Sequence, residues 1–332
     1  MIYLLALLLG LVQGVAEFLP ISSSGHLTLA AEWLQRMFGQ HVEVLQGKEF
    51  SVAVHVGTLG SIVIVYFRRL LAATTDLPLM TKIVLATIPV AATGLLLEDT
   101  IEGLMHSPRA VGVALLVTGG LLAAIRPIER WHAARKDATN ELAAADPSPG
   151  EHADSPVVLP HPQAVASTEP PPETAVADDP STTSDAPDDL ASDATTDAGH
   201  VPPAGRTLET MTYLDALIVG LVQSVAIVPG ISRSGSTIFA GVLAGMDRRA
   251  AADFSFFIAI PAIAGAAVLS LKDIIEAQQS EVPADVLAWG TMVALVTGLI
   301  SLKVLLAIVA RGELVWFAVY CWLVGFAAIA IV

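Results

Sequence analysis

The 332 residues are 54% hydrophobic, carry a formal net charge of −15 and have a mean hydropathy of +0.67. Their apolar residues fall in blocks near the ~20 residues needed to cross a bilayer, which excludes a soluble globular domain and points to an integral membrane protein. The acidity is local: Asp137 to Gly205 holds fourteen Asp and Glu and no Lys or Arg, leaving −1 for everything else, and no nucleic-acid partner is expected.

The apolar blocks run Ile2 to Leu19, Phe50 to Phe67, Met80 to Leu97, Ala110 to Ile125, Leu214 to Val228, Ile238 to Met246, Phe254 to Leu271, Val286 to Ala310 and Leu314 to Val332. Met1 enters the first block without a basic region or a small-residue cleavage site, so this start reads as mature protein and not as a signal peptide. The first and fifth blocks run into segments interrupted by Pro, Gly and Ser, Pro20 to Gly25 and Pro229 to Gly235. Broken backbone at membrane depth is tolerated only where protein buries it or a wet cavity solvates it, so both read as re-entrant hairpins whose tips meet inside the membrane. The single cysteine, Cys321, lies in the last block, so an intrachain disulfide is excluded.

An internal repeat sets the expected architecture. Gly10-Leu-Val-Gln13-Gly-Val-Ala16 matches Gly220-Leu-Val-Gln223-Ser-Val-Ala226, and Ile21-Ser-Ser-Ser-Gly25 matches Ile231-Ser-Arg-Ser-Gly235, both at an offset of 210. The fold class expected is an all-α polytopic membrane protein built as an inverted-topology repeat, each unit one re-entrant helical hairpin plus three transmembrane helices. That gives six full spans and two hairpins. Lys and Arg favour the cytoplasm. Arg68, Arg69, Lys82, Arg126, Arg130, Arg135, Arg248, Arg249, Lys303 and Arg311 then place both termini and Glu98, Asp99 and Glu102 outside. The expected division is residues 1–131 as the first repeat, 132–210 as an acidic, Pro-rich, disordered cytoplasmic linker, and 211–332 as the second repeat.

The chemistry gathers at the two interruptions. Gln13 and Glu17 are one helical turn apart and share a face just before Pro20 breaks the chain. Ser22, Ser23 and Ser24 stand where a helix should begin, supplying caps and unpaired backbone N–H groups suited to an anion. Ser23 and His26, three apart, can face one another as a hydroxyl and its proton acceptor, and Glu17 can orient the imidazole or hold a divalent cation. The second interruption has Ile227 opposite Glu17 and Ser236 opposite His26, but Arg233 opposite Ser23. Arg suits phosphate because its planar fork donates paired hydrogen bonds, so the two tips together suit a phosphoryl group. His55, near Ser51, fits a core histidine or a site residue equally well, and Asp253 is expected to pair with Arg248 or Arg249.

These residues resemble the undecaprenyl-diphosphate phosphatase family of the bacitracin-resistance type. Gln13-x-x-x-Glu17 with Phe18-Leu19-Pro20-x-Ser22-Ser23-Ser24-Gly25-His26 looks like that family's first motif, and Pro229-Gly230-Ile231-Ser232-Arg233-Ser234-Gly235 looks like its second. The resemblance implies hydrolysis of undecaprenyl diphosphate to the monophosphate and inorganic phosphate at the outer face of the plasma membrane, dependent on a divalent cation, Mg or Ca. It implies Ser23 as nucleophile, His26 as its proton-transfer partner and Glu17 as base or metal ligand, with Gln13 beside it. Arg233 is the implied diphosphate anchor, with Ser22, Ser24, Ser232, Ser234 and Gly235 as further substrate contacts. Position 13 is Gln where some members carry Glu, which leaves one carboxylate in the motif. The rival reading is a secondary transporter or polyprenyl-phosphate flippase, because broken helices in inverted repeats are also the signature of alternating access. Homodimer formation is left open.

Overall fold

The computed structural model describes residues 1–39, 42–97, 103, 107–145, 205–277 and 282–331. Ten α-helices are present among them: α1 Ile2–Ala16, α2 Ser23–Phe38, α3 Lys48–Ala73, α4 Leu77–Leu96, α5 Pro108–Ala145, α6 Tyr213–Val225, α7 Arg233–Leu243, α8 Arg248–Ala277, α9 Ala284–Arg311 and α10 Val315–Ile331. One compact unit comprises Met1–Ala138 and Pro203–Val332; the other is Thr139–Pro202, of which only the end of α5 falls within the described residues. Most of the expected linker, residues 146–204, and the acidic Glu98, Asp99 and Glu102 therefore lie outside the described residues. Helix α5 itself runs on through Ala145, past the boundary drawn at residue 131.

Helices α3, α4, α5, α8 and α9 are long and apolar enough to cross a membrane. They carry exposed apolar side chains that no soluble protein would leave in water, among them Ile64, Phe67, Ile88 and Leu96. Multiple spans of this kind make the chain a multi-pass membrane protein. Helix α10, the sixth span expected, is 17 residues long and equally apolar. The helix ends follow from local chemistry. Asp76 caps α4 by accepting from the Leu79 amide at 3.0 Å, followed by Pro78 in the first turn, where a missing N–H costs nothing. Thr212 and Asp215 form a capping box on α6, and Arg206 grips both oxygens of Asp215 at 2.9 and 2.7 Å. Gly312, at φ 71°, stops α9 in the left-handed conformation that glycine adopts without strain.

The tightest packing crosses between the two halves of the sequence. Helices α1 and α3 both lie against α9, while α6 lies against α4 and α3 against α8. Small residues set these distances, as expected where lipid supplies no hydrophobic force between helices. A Cβ built on Gly57 of α3 would stand 2.4 Å from the Thr291 carbonyl oxygen of α9, and one on Gly220 of α6 would stand 2.5 Å from that of Ala86 in α4. Gly57→Val is therefore expected to destabilise the protein by about 1–3 kcal/mol through overpacking. Thermal unfolding in detergent checks this, and an unchanged Tm would show that α3 can move off α9.

An aromatic cluster is built on Phe18, just past the end of α1. Phe18 is fully buried and meets Phe256 edge-on at 5.9 Å, and Tyr66 lies tilted against Phe256 at 5.8 Å. Tyr66 donates to Asp253 at 2.7 Å, and Arg69 pairs with the same carboxylate at 2.6 Å. Asp253 is thus held by α3 and not by Arg248, which pairs instead with Glu129 of α5 at 2.9 Å. Arg69 reaches it because α3 and α8 pack side by side, a neighbour that spacing along the chain does not reveal.

Candidate active site

Both interruptions are built alike. Each ends a helix ahead of its proline and starts a new helix at a serine whose hydroxyl accepts from the amide three residues on, Ser22 from Gly25 at 3.3 Å and Ser232 from Gly235 at 3.1 Å. Each capping serine hydroxyl also lies 3.3 Å from that of the serine two residues on, Ser24 and Ser234. The two turns touch reciprocally: a Cβ on Gly25 would meet the Gly230 Cα at 3.0 Å, and one on Gly235 would meet the Pro20 Cβ at 3.1 Å. Ser234 donates across to the Phe18 carbonyl at 3.0 Å, while Thr118 of α5 donates to the Gly230 carbonyl and accepts from the Ser232 amide, both at 3.0 Å. These bonds seat the second turn on the first. Ser22 is the only non-glycine among the described residues with positive φ, at 72°. Strain of that kind persists only where the surroundings over-determine it, and it clusters at functional sites.

Glu17 is the hub. Its Oε2 accepts from Ser23 Oγ at 2.7 Å and from Gln13 Nε2 at 2.9 Å, and its Oε1 takes Arg233 Nη2 at 2.6 Å. The carboxylate is 7% exposed, so the guanidinium's charge is what makes an ionised acid tolerable there. Ser23 and Arg233 come together through Glu17. One Arg233 nitrogen, Nη1, is buried with no partner, and so is Gln13 Oε1. His55 Nδ1 donates to the Ser51 carbonyl at 2.7 Å, which fixes its tautomer and turns Nε2 toward Glu17 at 3.8 Å.

These groups open on a cavity of about 300 Å³. Its wall combines a polar set that includes Glu17, Ser22, Ser23, Ser24, His55 and Arg233 with an apolar set in which Val90, Ile227 and Ile263 are prominent. A hydroxyl on a carboxylate, a guanidinium with one free arm and an attached apolar wall can bind a phosphoryl group that carries a hydrocarbon tail.

The expected Ser23–His26 hydrogen bond is not formed. His26 Nδ1 donates to the Ser22 carbonyl at 2.8 Å, its Nε2 lies 2.8 Å from the Tyr320 hydroxyl, and the ring stacks on Tyr320 at 5.5 Å. The first turn of α2 offers the imidazole a carbonyl four residues back, while Ser23 turns to the stronger, charged acceptor at Glu17. Ser234 bonds the second turn to the first, Gly235 lets it approach Pro20, and Ser232 both caps α7 and lines the cavity. His55 belongs to the site. Gln223 also lines it, a residue whose only sequence signal was its place in the repeat.

A divalent cation fits here only alongside a bound anion. Among the described residues there is no group of three or more His, Cys, Asp and Glu placed to share a metal ion. Among the described residues Glu17 is the only carboxylate lining the cavity, and Arg233 is already paired with it. A hard cation here would have the Glu17 oxygens as its carboxylate ligands and phosphate oxygens for the rest, the usual arrangement for Mg²⁺.

A family model described as bacitracin resistance protein BacA matches residues 6–146 and 191–327. The undecaprenyl-diphosphatase of Carboxydothermus hydrogenoformans is 32% identical over 326 residues, covering 96% of this chain and 94% of its own length. That of Syntrophotalea carbinolica is 33% identical over 337 residues, covering 98% and 97%. That of Rhodopirellula baltica is 32% identical over 316 residues, covering 95% and 92%.

Proposed function

The chain belongs to the bacitracin resistance protein BacA family, and from that membership and the geometry around Glu17 we propose that it hydrolyses undecaprenyl diphosphate to undecaprenyl phosphate and inorganic phosphate. The observation that carries the proposal is the shared carboxylate, with Ser23 on one side of Glu17 and Arg233 on the other.

In this reading the terminal phosphoryl group lies between Ser23 Oγ and the free Nη1 of Arg233. Ser23 Oγ bonds to the terminal phosphorus as its proton passes to Glu17. The bond from phosphorus to the bridging oxygen breaks, and the electron pair leaves on undecaprenyl phosphate. Water then cleaves the phosphoserine, giving inorganic phosphate and restoring the serine hydroxyl. Arg233 neutralises the charge that builds on the phosphoryl oxygens. His26, held by Ser22 and Tyr320, fixes the first turn of α2 and so the direction of Ser23. A divalent cation held by Glu17 would screen the diphosphate's charge.

The same proposal gives the chain six spans and two re-entrant hairpins related by an inverted repeat. Reciprocal contacts between the two turns, and the crosswise packing of α1 on α9 and α6 on α4, support it. Its location is the plasma membrane, with the site open toward the outer face, both termini outside and the linker in the cytoplasm. Hydrolysis there recycles the lipid carrier of cell-wall synthesis.

Purified protein is expected to release phosphate from undecaprenyl diphosphate, to stop on addition of a chelator and to recover with excess Mg²⁺. Phosphate release unaffected by chelator would remove the cation from the account. The paired broken helices also favour a carrier of polyprenyl phosphates. Sealed vesicles that move the lipid phosphate across the bilayer without producing inorganic phosphate would establish that reading instead.

A further inference from the structure

We infer that Gln223 is a second phosphate-binding residue of the cavity and holds the phosphate that stays on the lipid, an inference that rests on the phosphatase reading. Gln223 occupies in α6 the repeat position that Gln13 holds in α1. Gln13 spends its amide nitrogen on Glu17, one turn further on. In the second half that acid is replaced by Ile227, and Gln223 has no such acceptor. Its side chain is 1% exposed, it lines the cavity, and neither Nε2 nor Oε1 has a hydrogen-bond partner. A buried primary amide with both ends unsatisfied is rare in folded proteins, because each end has given up water for nothing. Facing a cavity, it is built for a ligand that enters.

The surroundings say which part of the ligand. Gln223 stands in the last turn of α6, just ahead of Ala226 and Ile227, which belong to the apolar wall together with Val90 and Ile263. Ser23 and Glu17 approach from the other half of the chain. A lipid diphosphate with its terminal phosphoryl at Ser23 and its hydrocarbon along that wall carries its inner phosphate between the two. There the Nε2 hydrogens of Gln223 donate to it while the free Arg233 Nη1 serves the terminal group. A donor on the inner phosphate also stabilises it as it leaves with the electron pair of the broken anhydride bond.

The test compares wild type with Gln223→Leu and Gln223→Glu in detergent, titrating each full-length protein with undecaprenyl phosphate and, separately, with inorganic phosphate. Because Gln223 supports no bond within the fold, Gln223→Leu is expected to unfold at or above the wild-type Tm. It should nonetheless bind undecaprenyl phosphate about tenfold more weakly, the weight of one hydrogen bond to a charged group. Gln223→Glu, which sets a charge against the phosphate, should bind it more weakly still, and inorganic phosphate should bind all three alike. Wild-type affinity for undecaprenyl phosphate in either variant, a lowered Tm in Gln223→Leu, or an equal loss of inorganic phosphate binding overturns the inference. Wild-type protein that binds undecaprenyl phosphate yet releases nothing from the diphosphate would sink the phosphatase reading alone.

Discussion

Ser23→Ala is expected to fold, to bind undecaprenyl diphosphate and to release phosphate at least about 10³-fold more slowly than wild type, the scale of losing a nucleophile. The hydroxyl removed is the one that donates to Glu17 at 2.7 Å. No other serine in the first turn takes its place, since Ser22 is turned to the Gly25 amide and Ser24 lies against Ser22. Stability should fall by only about 1 kcal/mol, one hydrogen bond's worth, because Glu17 keeps Arg233 and Gln13. The loss should therefore appear in kcat, with KM little changed. A variant within a few-fold of wild type would mean that water attacks directly and that Ser23 only positions it.

Arg233→Lys is expected to lower kcat/KM by about 10²-fold or more while the protein still folds, comparable to removing an electrostatic donor from an acyl- or phosphoryl-transfer site. Arg233 has two tasks: Nη2 neutralises Glu17 at 2.6 Å, and Nη1 stays buried and unpartnered for the substrate. A lysine ammonium keeps the charge but not the rigid fork, so it can serve one task at a time. Bound to Glu17, it preserves the fold and abandons the phosphate. Arg233→Ala should be the more damaging change, because it leaves a buried carboxylate with no counter-charge. Comparing Tm and kcat/KM across the two variants separates the tasks.

Much of this arrangement was legible in the sequence for a definite reason. Polar groups, Pro and Gly inside apolar blocks are costly in a membrane, so the sequence alone marks Gln13 to His26 and Pro229 to Gly235 as candidate sites. Their constant offset paired Ser23 with Arg233, and the structure joins both to Glu17. Rotamers were not legible. Spacing set Ser23 facing His26, whereas the fold turns Ser23 to Glu17 and holds His26 between the Ser22 carbonyl and Tyr320, almost three hundred residues away. Asp253 shows the same limit: its partner is Arg69 on α3, and neighbours in sequence suggested Arg248 or Arg249. The role of Gln223 was hidden because, although the repeat sets Ile227 opposite Glu17, only the fold shows both ends of the amide buried, unpartnered and on the wall of the cavity.

The central claim is that Ser23 and Arg233, one from each half of the chain, act on the same phosphoryl group through Glu17. Phosphate release from undecaprenyl diphosphate by purified wild type, Ser23→Ala and Arg233→Lys, assayed together on folded protein, tests it most directly. Rapid release by wild type and almost none by either variant is the result predicted; release by both variants at the wild-type rate would contradict it.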